Sequence, residues 1–154
     1  MGDLSVMPKK ARQPEPSAEW DQVMELDEPG LELAQADREM FNYSFEYYAK
    51  ESYANAFKGF RELAEKGSSV SQYFIGVMYL RGAGTLQDFV GAHMWLNIAA
   101  SKGHKKARNH LEKLTDKMSC EQLAEAQMLA RKWVETHEDA IASASSVAEP
   151  KHLN

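Results

Sequence analysis

An all-α fold, a solenoid of about three antiparallel αα-hairpins, is predicted by three features of the sequence. Apolar residues between 31 and 138 recur at three- and four-residue spacing, and no sustained period-two run bounded by turn residues interrupts them. The breaks between these runs carry helix-capping residues. A shift of 36 residues superposes Ala56 on Ala92, Phe60 on Leu96, Leu63 on Ala99, Ala64 on Ala100, Lys66 on Lys102, Gly67 on Gly103 and Ile75 on Leu111. A period of that length marks a helical repeat, in which each unit buries too little alone and depends on its neighbours.

The elements follow in order. The first helix, expected over 31–50, carries Met40, Phe41, Tyr43, Phe45, Tyr47 and Tyr48, aromatic and apolar groups covering more than one face. Ser52 is the expected N-cap of a second helix over 53–66, which Gly67 ends in the left-handed conformation. Ser69 is expected to cap a third over 69–81, and Asp88 a fourth over 89–102 that closes at Gly103. A fifth spans 104–117. Ser119 and Gln122 fit a capping box at the start of a sixth over 120–137. Ala64 and Ala100 allow close helix approach, while Phe60, Leu96 and Trp95 fill the space between hairpins. After about Asp139 the Ala, Ser and Pro content supports no core, so 139–154 is expected to be a disordered tail.

A chain of 154 residues forms one domain of ordinary size, and 44% hydrophobic with 27% charged residues is a globular balance. The net charge of -5 is uneven. Residues 31–138 hold 14 basic and 14 acidic side chains, whereas residues 1–30 hold 3 basic and 7 acidic ones. The carboxylate run Glu15, Glu19, Asp21, Glu25, Asp27 and Glu28 makes 1–30 an expected disordered acidic arm ahead of the 31–138 repeat domain. One stretch is locally basic: Lys102, Lys105, Lys106, Arg108, Lys113 and Lys117 face only Glu112 and Asp116. No run approaches the length of a membrane span and no secretory leader opens these residues, so membrane insertion is not expected. The expected location is cytoplasmic as written, or periplasmic if a leader precedes these residues in the natural chain.

The residues Gly76, Tyr79, Gly82, Gly84, Asp88, Ala92, Trp95, Ala99, Ala100, Gly103, Ala107 and Leu111 together resemble the Sel-1-like repeat (SLR), a relative of the tetratricopeptide repeat. The segment from Met118 to Trp133 also resembles the closing helix of many bacterial members, so the resemblance covers roughly 39–133. Departures are Thr85 and Leu86 where the family has Val and Pro, Ser71 in place of Ala, and Glu51 in place of Gly before Ser52. The resemblance implies a right-handed SLR/TPR-like superhelix. It also implies a bacterial adaptor or scaffold that binds a partner peptide or domain on its concave surface.

Little in the sequence points to catalysis. His93, His104, His110, His137 and His152 are scattered, and no pair has the helical metal-ligand spacing, so no metal site and no cofactor are expected. Cys120, at an expected helix N-terminus, is the one nucleophile candidate for an enzyme, and an inert thiol is the simpler reading. Gly82-Ala83-Gly84 joins two helices and lacks the lysine of a phosphate loop. A neutral domain in an acidic chain does not suit nucleic acid.

The aromatic residues carry the binding hypothesis. In the family-like pattern Ile75 and Tyr79 belong to the packed face of the third helix, which leaves Tyr73, Phe74 and Val77 at variable positions. Tyr43, Tyr47, Tyr73, Phe74 and Val77 are then expected to line a concave groove, with Arg81 and Arg108 as polar anchors at its rim. The alternative is that the first helix caps the solenoid and buries most of its aromatics. The expected function is a non-catalytic protein-interaction module, the alternative being an inhibitor or immunity-type protein that blocks an enzyme. The basic fifth helix is read as a solvated face, a phosphate-binding face, or a dock for the acidic arm through Trp20, Val23 and Met24.

Overall fold

The computed structural model describes residues 35 to 148, with side chains from 36 to 138. The arm expected over 1–30 and the end of the expected tail, 149–154, lie outside the described residues. Six helices follow one another: α1 Gln35–Ala49, α2 Tyr53–Glu65, α3 Ser69–Arg81, α4 Phe89–Ser101, α5 Lys105–Thr115 and α6 Cys120–Ala148. Consecutive helices from α1 to α5 pack side by side, and α6 returns to pack on α4. This is the neighbour-only packing of a helical solenoid.

The repeat is visible in the core. Ala56, Phe60, Leu63 and Ala64 form the buried stripe of α2, and their counterparts Ala92, Leu96, Ala99 and Ala100 form that of α4. Gly76 admits the side of Leu96, because a Cβ there would stand 2.7 Å from Leu96 Cγ. The ammonium of Lys102 donates to the carbonyl of Gly67, tying the equivalent turns of adjacent hairpins together.

Three helix ends use one motif. After α2 the Gly67 N–H donates to Ala64 O at 3.0 Å and the Ser68 N–H to Leu63 O at 3.1 Å, with Gly67 at φ 103°. After α4 the Gly103 and His104 N–H groups repeat the pattern on Ala100 and Ala99. After α1 the Glu51 N–H donates to Tyr48 O and the Ser52 N–H to Tyr47 O, but the left-handed position, φ 61°, is held by a glutamate. A side chain in that conformation costs about 1 kcal/mol, and Oε1 of Glu51 is also buried without a hydrogen bond. Glu51→Gly is therefore expected to stabilise the fold by about 1 kcal/mol. A urea midpoint equal to or below that of the wild type would contradict this.

Caps largely follow the sequence. Asp88 accepts the Gly91 N–H at 3.1 Å, and Ser119 and Gln122 form the reciprocal capping box at 3.0 and 3.2 Å. The cap of α3 is Ser68 rather than Ser69: its Oγ accepts the Ser71 N–H and donates to Ser71 Oγ, which gives the unexpected serine a partner. Ser52 precedes α2 without capping it through its side chain. The α6 helix continues to Ala148, past the expected stop at 137 and into the segment expected to be a disordered tail. No glycine or proline intervenes before Pro150, and Ala140, Ala142 and Ala144 favour helix.

The helix α3 corrects the sequence reading most. From Ser69 to Met78 every residue is buried except Val70, which is half-buried. Phe74 lies among the rings of Phe41, Phe45, Tyr48 and Phe60, stacked on Phe60 at 4.5 Å with 4° between ring planes. Tyr73 stacks on the His104 imidazole at 4.7 Å, and its hydroxyl lies 3.2 Å from His110 Nε2. Rings of α1 and α2 close around Phe74, and His104 and His110 flank Tyr73, so these two variable positions are core.

Candidate interaction surface

The residues expected to form one groove are distributed over the molecule. Tyr73, Phe74 and Val77 are 4%, 0% and 3% exposed, so they do not line an open surface, contrary to expectation. Tyr43 and Tyr47, 62% and 43% exposed, stand one turn apart on the outer side of α1, whose Phe41, Ser44 and Tyr48 face the core. Arg81 is exposed at the end of α3 and Arg108 on α5. Arg81 acts on the α2 start: burial and the Glu51 carboxylate raise the Tyr53 phenol above its usual range, and the Arg81 guanidinium opposes them.

A different constellation lies between α2, α4 and α6. These helices, with the end of α3, enclose a groove of about 520 Å³ whose floor includes Val90, Met94, Trp95 and Leu129. Glu65 on α2 is its hub. One carboxylate oxygen accepts the Arg61 Nε–H at 3.2 Å, while the other accepts the Trp133 indole N–H at 3.0 Å and lies 3.2 Å from His137 Nε2. Arg61 also donates to the Tyr79 hydroxyl at 3.1 Å, and its guanidinium stands 5.7 Å from the Trp95 ring. Trp133 stacks on His137 at 3.8 Å and meets Trp95 edge-on at 5.5 Å. Asp88 and Glu125 add carboxylates to the groove wall.

Local sequence explains the placement. Arg61 and Glu65 are one turn apart on α2, as are Trp133 and His137 on α6, so each pair shares a helix face. Trp95 and Trp133 are 38 residues apart, close to the repeat period, which puts both indoles on successive equivalent helices. That spacing is the one signal in the sequence that points to this groove. The Glu65–Trp133 contact spans 68 residues and depends on the angle at which α6 docks.

Among the described residues no cluster of three His, Cys, Asp or Glu side chains is arranged to hold a metal ion. Cys120 is exposed at the first residue of α6. The basic α5 and the two residues after it keep Lys105, Arg108, Lys113 and Lys117 exposed, together with Glu112 and Asp116. Among the described residues no helix is long and apolar enough to cross a membrane.

No protein-family model matches the sequence, and no curated protein matches it. Among solved structures the chain is similar to a protective antigen present in uropathogenic Escherichia coli strains, whose crystal structure displays an SLR fold. The TM-score is 0.62 at 21% identity, over 77% of this chain and 27% of that one. This chain therefore has an SLR-like helical repeat fold, and it spans about a quarter of the length of the antigen.

Proposed function

We propose that this protein is a non-catalytic interaction module, an adaptor or scaffold, that holds a partner peptide or domain in the groove between α2, α4 and α6. The observation that carries this reading is the aromatic floor crossed by polar groups: half-buried Tyr79 and Trp133 border it, and Arg61 and Glu65 stand at its centre. Aromatic and arginine side chains that are held rigid before binding supply contact area at low entropic cost. The SLR-like fold supports the same reading, because stacked hairpins present extended surfaces of this kind. The outer pair Tyr43 and Tyr47 is the competing surface.

The two surfaces are separable by affinity capture. A Leu129→Asp, Glu125→Lys variant, checked for wild-type helicity, is expected to lose partner affinity about tenfold or more, the cost of one displaced anchor. A Tyr43→Ser, Tyr47→Ser variant is expected to retain the wild-type set. The reverse result would move the binding surface to α1, and retention by both variants would overturn the groove.

A further inference from the structure

The sector of α3 that faces neither α2 nor α4 carries an inference independent of the groove. At 100° per residue, Phe74 points toward α1 and Tyr73 toward α5, and Val70, Val77 and Arg81 fall in the sector between them. Helices α1 and α5 flank this sector without forming one of the extensively packed pairs. Val77 is nevertheless buried, whereas Arg81 at the end of the same stripe is exposed. An apolar helix stripe in a solenoid needs a cover along its length.

The chain contains a segment of matching chemistry. Residues 13–34, which lead directly into α1, carry seven acidic side chains and no basic one. Within them Trp20, Val23 and Met24 have the spacing of one helical face. Between this segment and α1 the sequence has Pro29-Gly30, a dipeptide with turn-forming preference. From the end of α4 into α5, residues 102–108 carry Lys102, Lys105, Lys106 and Arg108 with no acidic residue. Opposite charges steer such a segment and set its orientation, while the apolar stripe supplies the burial.

We propose that residues 15–28 dock along α3 between α1 and α5, placing Trp20, Val23 and Met24 over Val70 and Val77 and the carboxylates toward Lys102–Arg108. The face between α1 and α5 is thus a receptor for an acidic amphipathic segment, occupied by the protein's own chain.

Zero-length carbodiimide crosslinking of the full chain, followed by peptide mass spectrometry, tests this. Crosslinks from Glu19, Asp21 or Glu25 to Lys102, Lys105 or Lys106 are expected within single chains in a mixture of isotopically light and heavy protein. In a Trp20→Ser, Val23→Ser variant their yield is expected to fall about tenfold, because burying two such side chains is worth more than one decade in an equilibrium constant. Amide exchange around Val77 is expected to rise with it. Crosslinks that are absent, or equal in wild type and variant, would overturn the proposal. Light-to-heavy crosslinks would overturn it in favour of a second copy's segment.

Discussion

Phe74→Ala is expected to destabilise the protein by about 3–5 kcal/mol, the range for deleting a fully buried phenylalanine from a core that cannot collapse onto the space. Phe74 is fully enclosed, and aromatic rings of two other helices pack on it: the stacked Phe60 of α2, and Phe41, Phe45 and Tyr48 of α1 at 6.1, 6.2 and 5.7 Å. The edge-on geometry adds to the area term. Since α1 meets the stack through these rings and through α2, its loss should be regional as well as global. Amide exchange in 35–49 should accelerate more than in α4–α6, as repeat proteins lose terminal units first. Urea unfolding gives the magnitude, and a Tyr43→Ala control at an exposed position of α1 should change stability by less than about 0.5 kcal/mol. A loss below about 1 kcal/mol for Phe74→Ala would show that the ring cluster is not the joint between the first hairpin and the rest.

The same residue shows where the sequence stops being informative. The 36-residue period, the left-handed Gly67 and Gly103, the Asp88 cap and the Ser119–Gln122 box are encoded within a few residues of where they act, and each is found in place. Exposure is different, because it depends on how many helices surround a position. Phe74 occupies a variable position of the repeat, and the rings of α1 and α2 that close over it make it core. The groove was hidden for a related reason. Its contacts join Arg61 to Tyr79 across 18 residues and Glu65 to Trp133 across 68, so only the packed helices reveal that these groups share a surface. Even the α5 cap escaped the sequence reading, because histidine is an uncommon capping residue and its ring had no recognisable local partner.

That cap makes the fold sensitive to acid. His104 accepts the Ala107 N–H through Nδ1 at 3.2 Å, so its proton resides on Nε2, which is buried without a partner. Protonating Nδ1 would break the cap and charge a buried ring stacked on Tyr73. Burial first, then the charges of Lys106 and His110, lower its pKa from 6.5 to about 4. Above about 6.5 the imidazole is neutral in both folded and unfolded chains, and its full contribution to stability is present. As the pH falls below that value, the unfolded chain takes up a proton that the folded chain refuses until about pH 4, so stability drains away across this window and then levels. Converted at about 1.4 kcal/mol per pH unit, the loss through His104 is on the order of 3 kcal/mol. Buried His93, lowered by the same cause, acts in the same direction. His104→Asn keeps an N-cap acceptor and removes the titration, so the variant should start less stable at pH 7.5 but lose less on acidification to pH 4. Urea midpoints at the two pH values decide the matter: parallel losses in wild type and variant would locate the acid sensitivity elsewhere.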